Sequence, residues 1–241
     1  MTTPTRLFSR ILSLAIQGKL VGNHADDTVD DLLKEIAANN SARKKSKSEP
    51  ISDDQIPFQI PDNWKWVRLG EICEIGTGST PSKNNPNYYN GVYNWINSSA
   101  TSNKYIDEPN AMITELALKE TNCKVYPIGS LIMAMYGEGK TRGQISELRI
   151  EAATNQACCA IMPINKDTKE YIYYFFIYNY NNIRKLAEGG AQPNLNMAKV
   201  KSLLLPLPPL SIQSRIVSKL NEIKALVDEC EDIENIQIWR C

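Results

Sequence analysis

The stretch "SLIMAMYGEGKTRGQISEL", Ser130–Leu148, decides what kind of fold this chain has. Ala134, Gly139, Lys140 and Thr141 have the A-x-x-x-x-G-K-T spacing of a relaxed phosphate-binding loop. In such a loop a buried strand feeds a helix, and the first amides of that helix hold phosphate. Lys140 would reach the β- and γ-phosphates, Thr141 would hold magnesium, and the chain would be an ATPase or GTPase. The residues after Thr141 argue against a helix. Gly143 comes two residues later and β-branched Ile145 soon after, which is a poor helix start. The second acidic site is missing too: "QACCAIMPINKD" (156–167) meets Pro163 and Asn165 before any acid. The stretch therefore reads as strand, exposed Gly-rich loop, strand, with Lys140 and Arg142 at the tip. The ATPase remains a remote alternative.

Outward from this hairpin, the centre of the chain carries short strands separated by turn residues: "WVRLGEICEI" (66–75), "YNWINS" (93–98), "SLIMAMY" (130–136) and "QACCAIMPI" (156–164). One helix, "KEYIYYFFIYNYNNIRKLA" (169–187), sets Ile172, Phe175, Phe176 and Asn179 on one side, so its tyrosines read as core packing before base stacking. Towards the N-terminus, residues 5–17 form an amphipathic helix with Leu7, Ile11, Leu14 and Ala15 on one face and Gly18 placed to end it. A second helix starts at Thr28, which with Asp31 resembles a capping box, and its apolar face is Leu32, Leu33 and Ile36. "RKKSK" (43–47) suits a solvated helix end. "SEPISDDQIP" (48–57) is a linker. Near the other end "LPLPPL" (205–210) is a rigid corner, after which Ser211 caps a new helix. Ile216, Leu220, Ile223, Val227 and Cys230 then come at spacings of four, three, four and three, a coiled-coil seam that breaks at Glu234.

At 241 residues the chain suits one mid-sized domain with an appendage. No apolar run is long enough to span a membrane, and no signal-peptide cleavage site is evident. Six scattered cysteines contain no C-x-x-C, which points to reduced thiols in the cytoplasm and no metal site. Net charge is zero, so a DNA face requires the basic residues to cluster in loops. Catalytic patterns are poor. The single histidine, His24, lies in a turn. "NNPNYY" (84–89) only resembles the amine-gripping loop of amino-methyltransferases, and "IGTG" (75–78) does not enter a helix. A nuclease set from Pro61-Asp62 and Asp167-Thr168-Lys169 spans over a hundred residues. What remains is recognition chemistry. "GTGSTPSKNNPNYYNGVYNWINSSATSNKY" (76–105) is rich in groups that bond phosphates and base edges. In it Asn84, Asn85, Asn94, Asn97 and Asn103 each offer an amide to adenine, and a long polar loop is the equal alternative.

The order of these motifs resembles the specificity subunits of type I restriction-modification enzymes, in a half-length form. The resemblance rests on "LFSRILSLAIQGKLV", "IPDNWKWVRLGEICEIGTGSTPS", "WINSSA", the "YGEGKTRG" loop, "NQA" (155–157), "GGAQPNLNM" (189–197) and "LLLPLPPLSIQSRIV", over about residues 6–232. It implies an α+β fold: a mixed α/β target-recognition domain (60–210) flanked by an N-terminal helical region and linker (1–59) and a long coiled-coil spacer or dimerisation helix (211–241). It further implies a non-enzymatic, cytoplasmic subunit without cofactor. Such a subunit reads double-stranded DNA and directs methyltransferase and restriction/translocase subunits, with a homodimer as one assembly. A scaffold that binds the methyltransferase without reading DNA is the alternative. Expected DNA contacts are Ser79, Thr80, Ser82, Lys83, Asn84, Asn85, Tyr88, Tyr89, Asn97, Ser98, Ser99, Asn103, Lys104, Tyr136, Lys140, Thr141 and Arg142. The partner helix would use Ile216, Leu220, Ile223, Val227 and Cys230. The chain departs from the family in having one recognition domain, and in Ile212 where an acid usually precedes Gln213.

Overall fold

The computed structural model describes residues 3–39, 49–188 and 195–238. The basic run at 43–47, most of "GGAQPNLNM" and residues 239–241 lie outside the described residues. In chain order the elements are α1 (Thr3–Ile16), α2 (Val29–Asn39), β1 (Lys65–Arg68), α3 (Leu69–Ile72), β2 (Cys73–Thr77) and β3 (Tyr89–Ile96). Then come β4 (Tyr105–Ile106), β5 (Ala111–Ile113), α4 (Glu115–Glu120), β6 (Val125–Tyr126), β7 (Leu131–Ala134) and β8 (Ile145–Leu148). The remainder is β9 (Ala152–Thr154), β10 (Cys158–Pro163), α5 (Lys169–Glu188), α6 (Met197–Lys201), β11 (Leu204–Leu207) and α7 (Leu210–Ile238). Two units result. One is Met1–Val67 with Glu170–Tyr178 and Leu204–Cys241, and the other is Arg68–Lys169 with Asn179–Leu203. The boundaries expected at 60 and 210 both fall inside the first unit, where Trp64–Val67 and β11 belong.

The first unit is built on helix ends. Gly18, at φ +71°, closes α1: its N–H donates to Ala15 O at 3.1 Å and that of Lys19 to Leu14 O at 2.8 Å. These are the two bonds of a helix end that needs a left-handed residue. The buried face of α1 is Phe8, Leu12, Ala15 and Ile16, whereas Leu7 and Leu14 are exposed. The expected face was one residue out of phase. The two rows have identical spacing, so periodicity does not choose between them; packing of α1 on α7 does. Thr28 does cap α2, accepting from Asp31 N at 3.1 Å and donating to the Asp31 carboxylate at 2.7 Å. Val29, Leu32 and Ile36 are its buried residues.

The expected corner at 205–210 is shorter than the sequence suggested. Leu205, Pro206 and Leu207 lie in β11, which pairs with β1, and only Pro208 and Pro209 make the turn. Pro206 fits a two-stranded sheet because it has no neighbour on its far side to donate to. Tyr171, fully buried, donates its hydroxyl to Pro206 O at 2.6 Å. Ser211 does not cap α7. It sits in the first turn, and Asp27 is the cap: its carboxylate accepts the Ser211 N–H at 3.0 Å and the Ser211 hydroxyl. Burial alone would push the Asp27 carboxyl up, but these bonds outweigh it and hold it below its ordinary value. An acid at 212 is therefore unnecessary, and Ile212 is fully buried instead. Along the seam, Ile216, Leu220 and Val227 are buried, Ile223 is half-buried, and Cys230 is exposed.

The second unit holds two sheets. The five-stranded one has the order β2-β10-β7-β8-β4, and the four-stranded one β5-β3-β9-β6. "WVRLGEICEI" is not one strand, because the helical turn α3 interrupts it at Leu69–Ile72. Ile96, Tyr126, Ile132, Leu148, Cys158 and Ala160 pack into one core cluster. Trp95, Ile113, Ala117, Cys123 and Ala153 form a second. Among the described residues no helix is long and apolar enough to cross a membrane.

Candidate nucleic-acid interface

Strand registers fix where the polar loops emerge. In the antiparallel pair β2/β10, Thr77 lies opposite Cys159, so β2 ends where β10 begins. β7 ends at the same place, with Ala134 opposite Cys158 and Met133 opposite Ile145 at the start of β8. β3 and β9 run parallel and finish together, with Ile96 beside Thr154. The turn 155–157 joins β9 to β10 and so ties the ends of the two sheets. Asn155 N–H donates to Ile96 O at 3.0 Å, and Met135 N–H to Ala157 O at 2.8 Å. Four loops consequently leave from one end: the start of 78–88, then 97–104, 135–144 and 155–157. Gly78 is required there, since a Cβ on it would lie 1.8 Å from Thr154 O.

Loop 135–144 closes the β7–β8 hairpin, and no helix begins at Lys140, so the phosphate-loop geometry is absent. Gly137, Gly139 and Gly143 all have positive φ. The backbone is held from α5: Tyr180 donates its hydroxyl to Lys140 O at 2.6 Å, and Arg184 Nη1 donates to Arg142 O at 3.0 Å. Lys140 itself is exposed, Tyr136, Thr141 and Arg142 are half-buried, and Arg142 Nε is buried without a partner among the described residues. Glu138 shares the tip, so the loop is only modestly basic.

Loop 97–104 begins with a helical turn at 98–102 that Asn97 caps: its side-chain oxygen accepts from Ser99 N at 2.8 Å and Ser99 Oγ at 2.7 Å. Thr101 donates to Ser98 O at 2.8 Å. Asn103 is exposed, and Lys104 Nζ lies 5.2 Å from the Tyr105 ring centre. Ser79 meets the Cys123 thiol at 3.4 Å, and Thr80 Oγ1 donates to Gln156 Oε1 at 2.9 Å.

The rest of 82–89 leads away from this end. Asn85 accepts from Asn87 N at 3.1 Å, Tyr88 donates to Glu120 Oε2 of α4 at 2.9 Å, and Tyr89 donates to Pro81 O at 2.6 Å. Ser82 accepts from Asn84 N at 3.3 Å, while Lys83 and Asn84 are exposed. Asn94 also serves the fold, donating to Glu151 O at 2.8 Å. Sequence reasoning missed Gln156, Tyr180 and Arg184 as members of this end. The last two are one helical turn apart, but nothing local marks a helix that reaches a loop forty residues earlier.

Burial pushes the Cys158 and Cys159 thiols up to about 12 and Cys73 higher still, so all three stay neutral. Among the described residues no group of His, Cys, Asp and Glu has metal-binding geometry.

A family model described as "Type I restriction modification DNA specificity domain" matches residues 61–238. The type I restriction enzyme EcoR124I/EcoR124II specificity subunit of Escherichia coli is 28% identical over 220 residues, covering 90% of this chain and 54% of that protein. The EcoAI specificity subunit of the same species is 26% identical over 250 residues, covering 94% and 40%. The solved HsdS subunit from Thermoanaerobacter tengcongensis superposes with a TM-score of 0.56 at 18% identity, over 95% of this chain and 50% of that one. A chain from a structure of type I R-M complex assembly gives 0.60 at 18% identity, over 97% and 53%. The chain thus spans about half the length of the curated relatives it matches. At these identities the structural likeness establishes the fold.

Proposed function

We propose that this chain, which belongs to the type I restriction modification DNA specificity domain family, recognises a specific sequence in duplex DNA as a non-catalytic specificity subunit. The observation that carries this is the convergence of four polar loops at one end of the two sheets. Lys104, Lys140 and Arg142 there offer cations to phosphates. Amides and hydroxyls of the same loops offer donors and acceptors to base edges. Backbones anchored to strands and to α5 keep those side chains in place, which lowers the ordering cost of binding.

The described residues form one such end, which reads one half of a split site. Methylation and ATP-dependent cleavage belong, in this reading, to methyltransferase and restriction subunits that join it in the cytoplasm. Two copies would read a palindromic split site, since two-fold symmetry in the protein is mirrored in the target. α1 already covers part of the α7 seam within the chain, so a second copy would meet Leu226 and Cys230, which are exposed.

The test is enrichment of duplexes from a random library by the chain with a methyltransferase partner. A defined consensus is expected, and Lys140→Ala should weaken binding to all sequences and reduce the salt slope by about one. Capture of the methyltransferase with no enriched sequence would instead establish the scaffold role.

A further inference from the structure

Within the DNA-reading role proposed above, most of the asparagines that composition offers for reading bases are already occupied. The oxygens of Asn85 and Asn97 accept backbone N–H groups, Asn94 donates to Glu151 O, and the Asn155 oxygen accepts the Ala157 N–H at 3.1 Å. Asn97, whose oxygen also accepts the Ser99 hydroxyl, has both lone pairs filled, and Asn85, Asn94 and Asn155, each bonded to backbone, are half-buried. Gln156 differs from them. Its side chain is exposed, and no described residue accepts from its Nε2. Its oxygen receives one hydrogen bond, from Thr80 Oγ1 at 2.9 Å, and keeps a second lone pair.

The root of Gln156 is a turn held on both sides. Asn155 N–H donates to β3, Ala157 O accepts from Met135 at the end of β7, and the Cys158 N–H closes the turn on Asn155 O at 3.3 Å. Thr80 reaches Gln156 because the chain at Gly78 lies directly on Thr154, an approach that only glycine permits. The amide plane is thereby fixed from a second loop, with its –NH2 edge open.

We infer that Gln156 is a base-reading residue with adenine as its partner, and that Thr80 is its positioning residue. The amide nitrogen donates to adenine N7, and the remaining lone pair on the oxygen accepts from the adenine N6 amino group, the pairing that suits Gln in the major groove. Thr80 removes rotamer freedom that the glutamine would otherwise lose on binding.

The experiment is library enrichment by the full chain with its methyltransferase partner, followed by affinities for single-base variants of the consensus. Gln156→Ala should abolish preference at one A·T position, a change of about ten- to a hundredfold there, and leave the other positions and the salt slope as they were. Replacing that adenine by 7-deazaadenine should weaken the wild type by at least severalfold and leave Gln156→Ala unaffected. Thr80→Val should lower discrimination at the same position, and Thr80→Ser should restore it. A wild-type consensus that Gln156→Ala retains at every position overturns the assignment, as does an equal loss at all positions. A wild-type chain that enriches no sequence overturns the DNA-reading role itself.

Discussion

Two loops of similar polarity, 82–89 and 137–143, are held in opposite ways. In 82–89 the side chains are fastened: Asn85 to a backbone N–H, Tyr88 to Glu120, Tyr89 to Pro81 O. In 137–143 the backbone is fastened, through the carbonyls of Lys140 and Arg142 bound by Tyr180 and Arg184, while the Lys140 side chain stands exposed. The first arrangement spends its chemistry on the fold. The second fixes a platform and leaves the chemistry outward. Composition does not distinguish them, because an asparagine or lysine looks the same whether its side chain or its backbone is the anchored part.

The largest effect should come from removing what 82–89 leans on. Tyr88, Tyr89 and Tyr93 pack against the cluster around Trp95, whose indole N–H donates to Ser79 O at 3.1 Å. Trp95→Ala should cost about 3–5 kcal/mol of unfolding free energy. A smaller loss in a urea titration would mean that the loop is not anchored there.

Next, Asn97→Ala removes a cap in loop 97–104 and should cost about 0.5–2 kcal/mol of stability, with unchanged preference at every base position. An altered preference would move Asn97 from the structural group to the reading group. Tyr180→Phe removes only the hydroxyl that holds Lys140 O. The hydroxyl also accepts from Arg184 Nη1 at 3.3 Å, so the change should weaken DNA binding about two- to tenfold and cost on the order of 1 kcal/mol of unfolding free energy. In a Lys140→Ala background the same change should have little further effect. Full additivity of the two would break the claim that Tyr180 acts through this loop.

The smallest effect concerns a cap far from either loop. Asp27→Asn keeps an acceptor for the Ser211 N–H but loses the charge at the start of α7, worth about 0.3–1 kcal/mol at neutral pH. Because the folded carboxyl lies below its ordinary value of 3.8, its contribution is present above that value and lost as pH falls through the folded one. Wild type and variant should therefore converge in stability below about pH 4; a constant gap down to pH 2 would rule out the charge.

The sequence by itself determined the elements whose signals are local. Gly18 closes α1 and Thr28 opens α2 because caps are set by residues within one turn of the helix end. The 130–148 hairpin and the helix beginning at 169 were legible for the same reason: glycines and spacing act over a few residues. Tertiary structure alone decided the rest. It chose Phe8 and Leu12 over Leu7 and Leu14, since two rows of equal spacing are separated only by what packs on them. It gave α7 its cap from Asp27 in place of Ser211, across 184 residues. It also sorted the polar loops, filling both lone pairs of the Asn97 oxygen and leaving Gln156 exposed with its amide nitrogen open. Hydrogen-bond partners of that kind are fixed by strand register and chain crossing, and these are properties of the assembled sheets that no window of sequence contains.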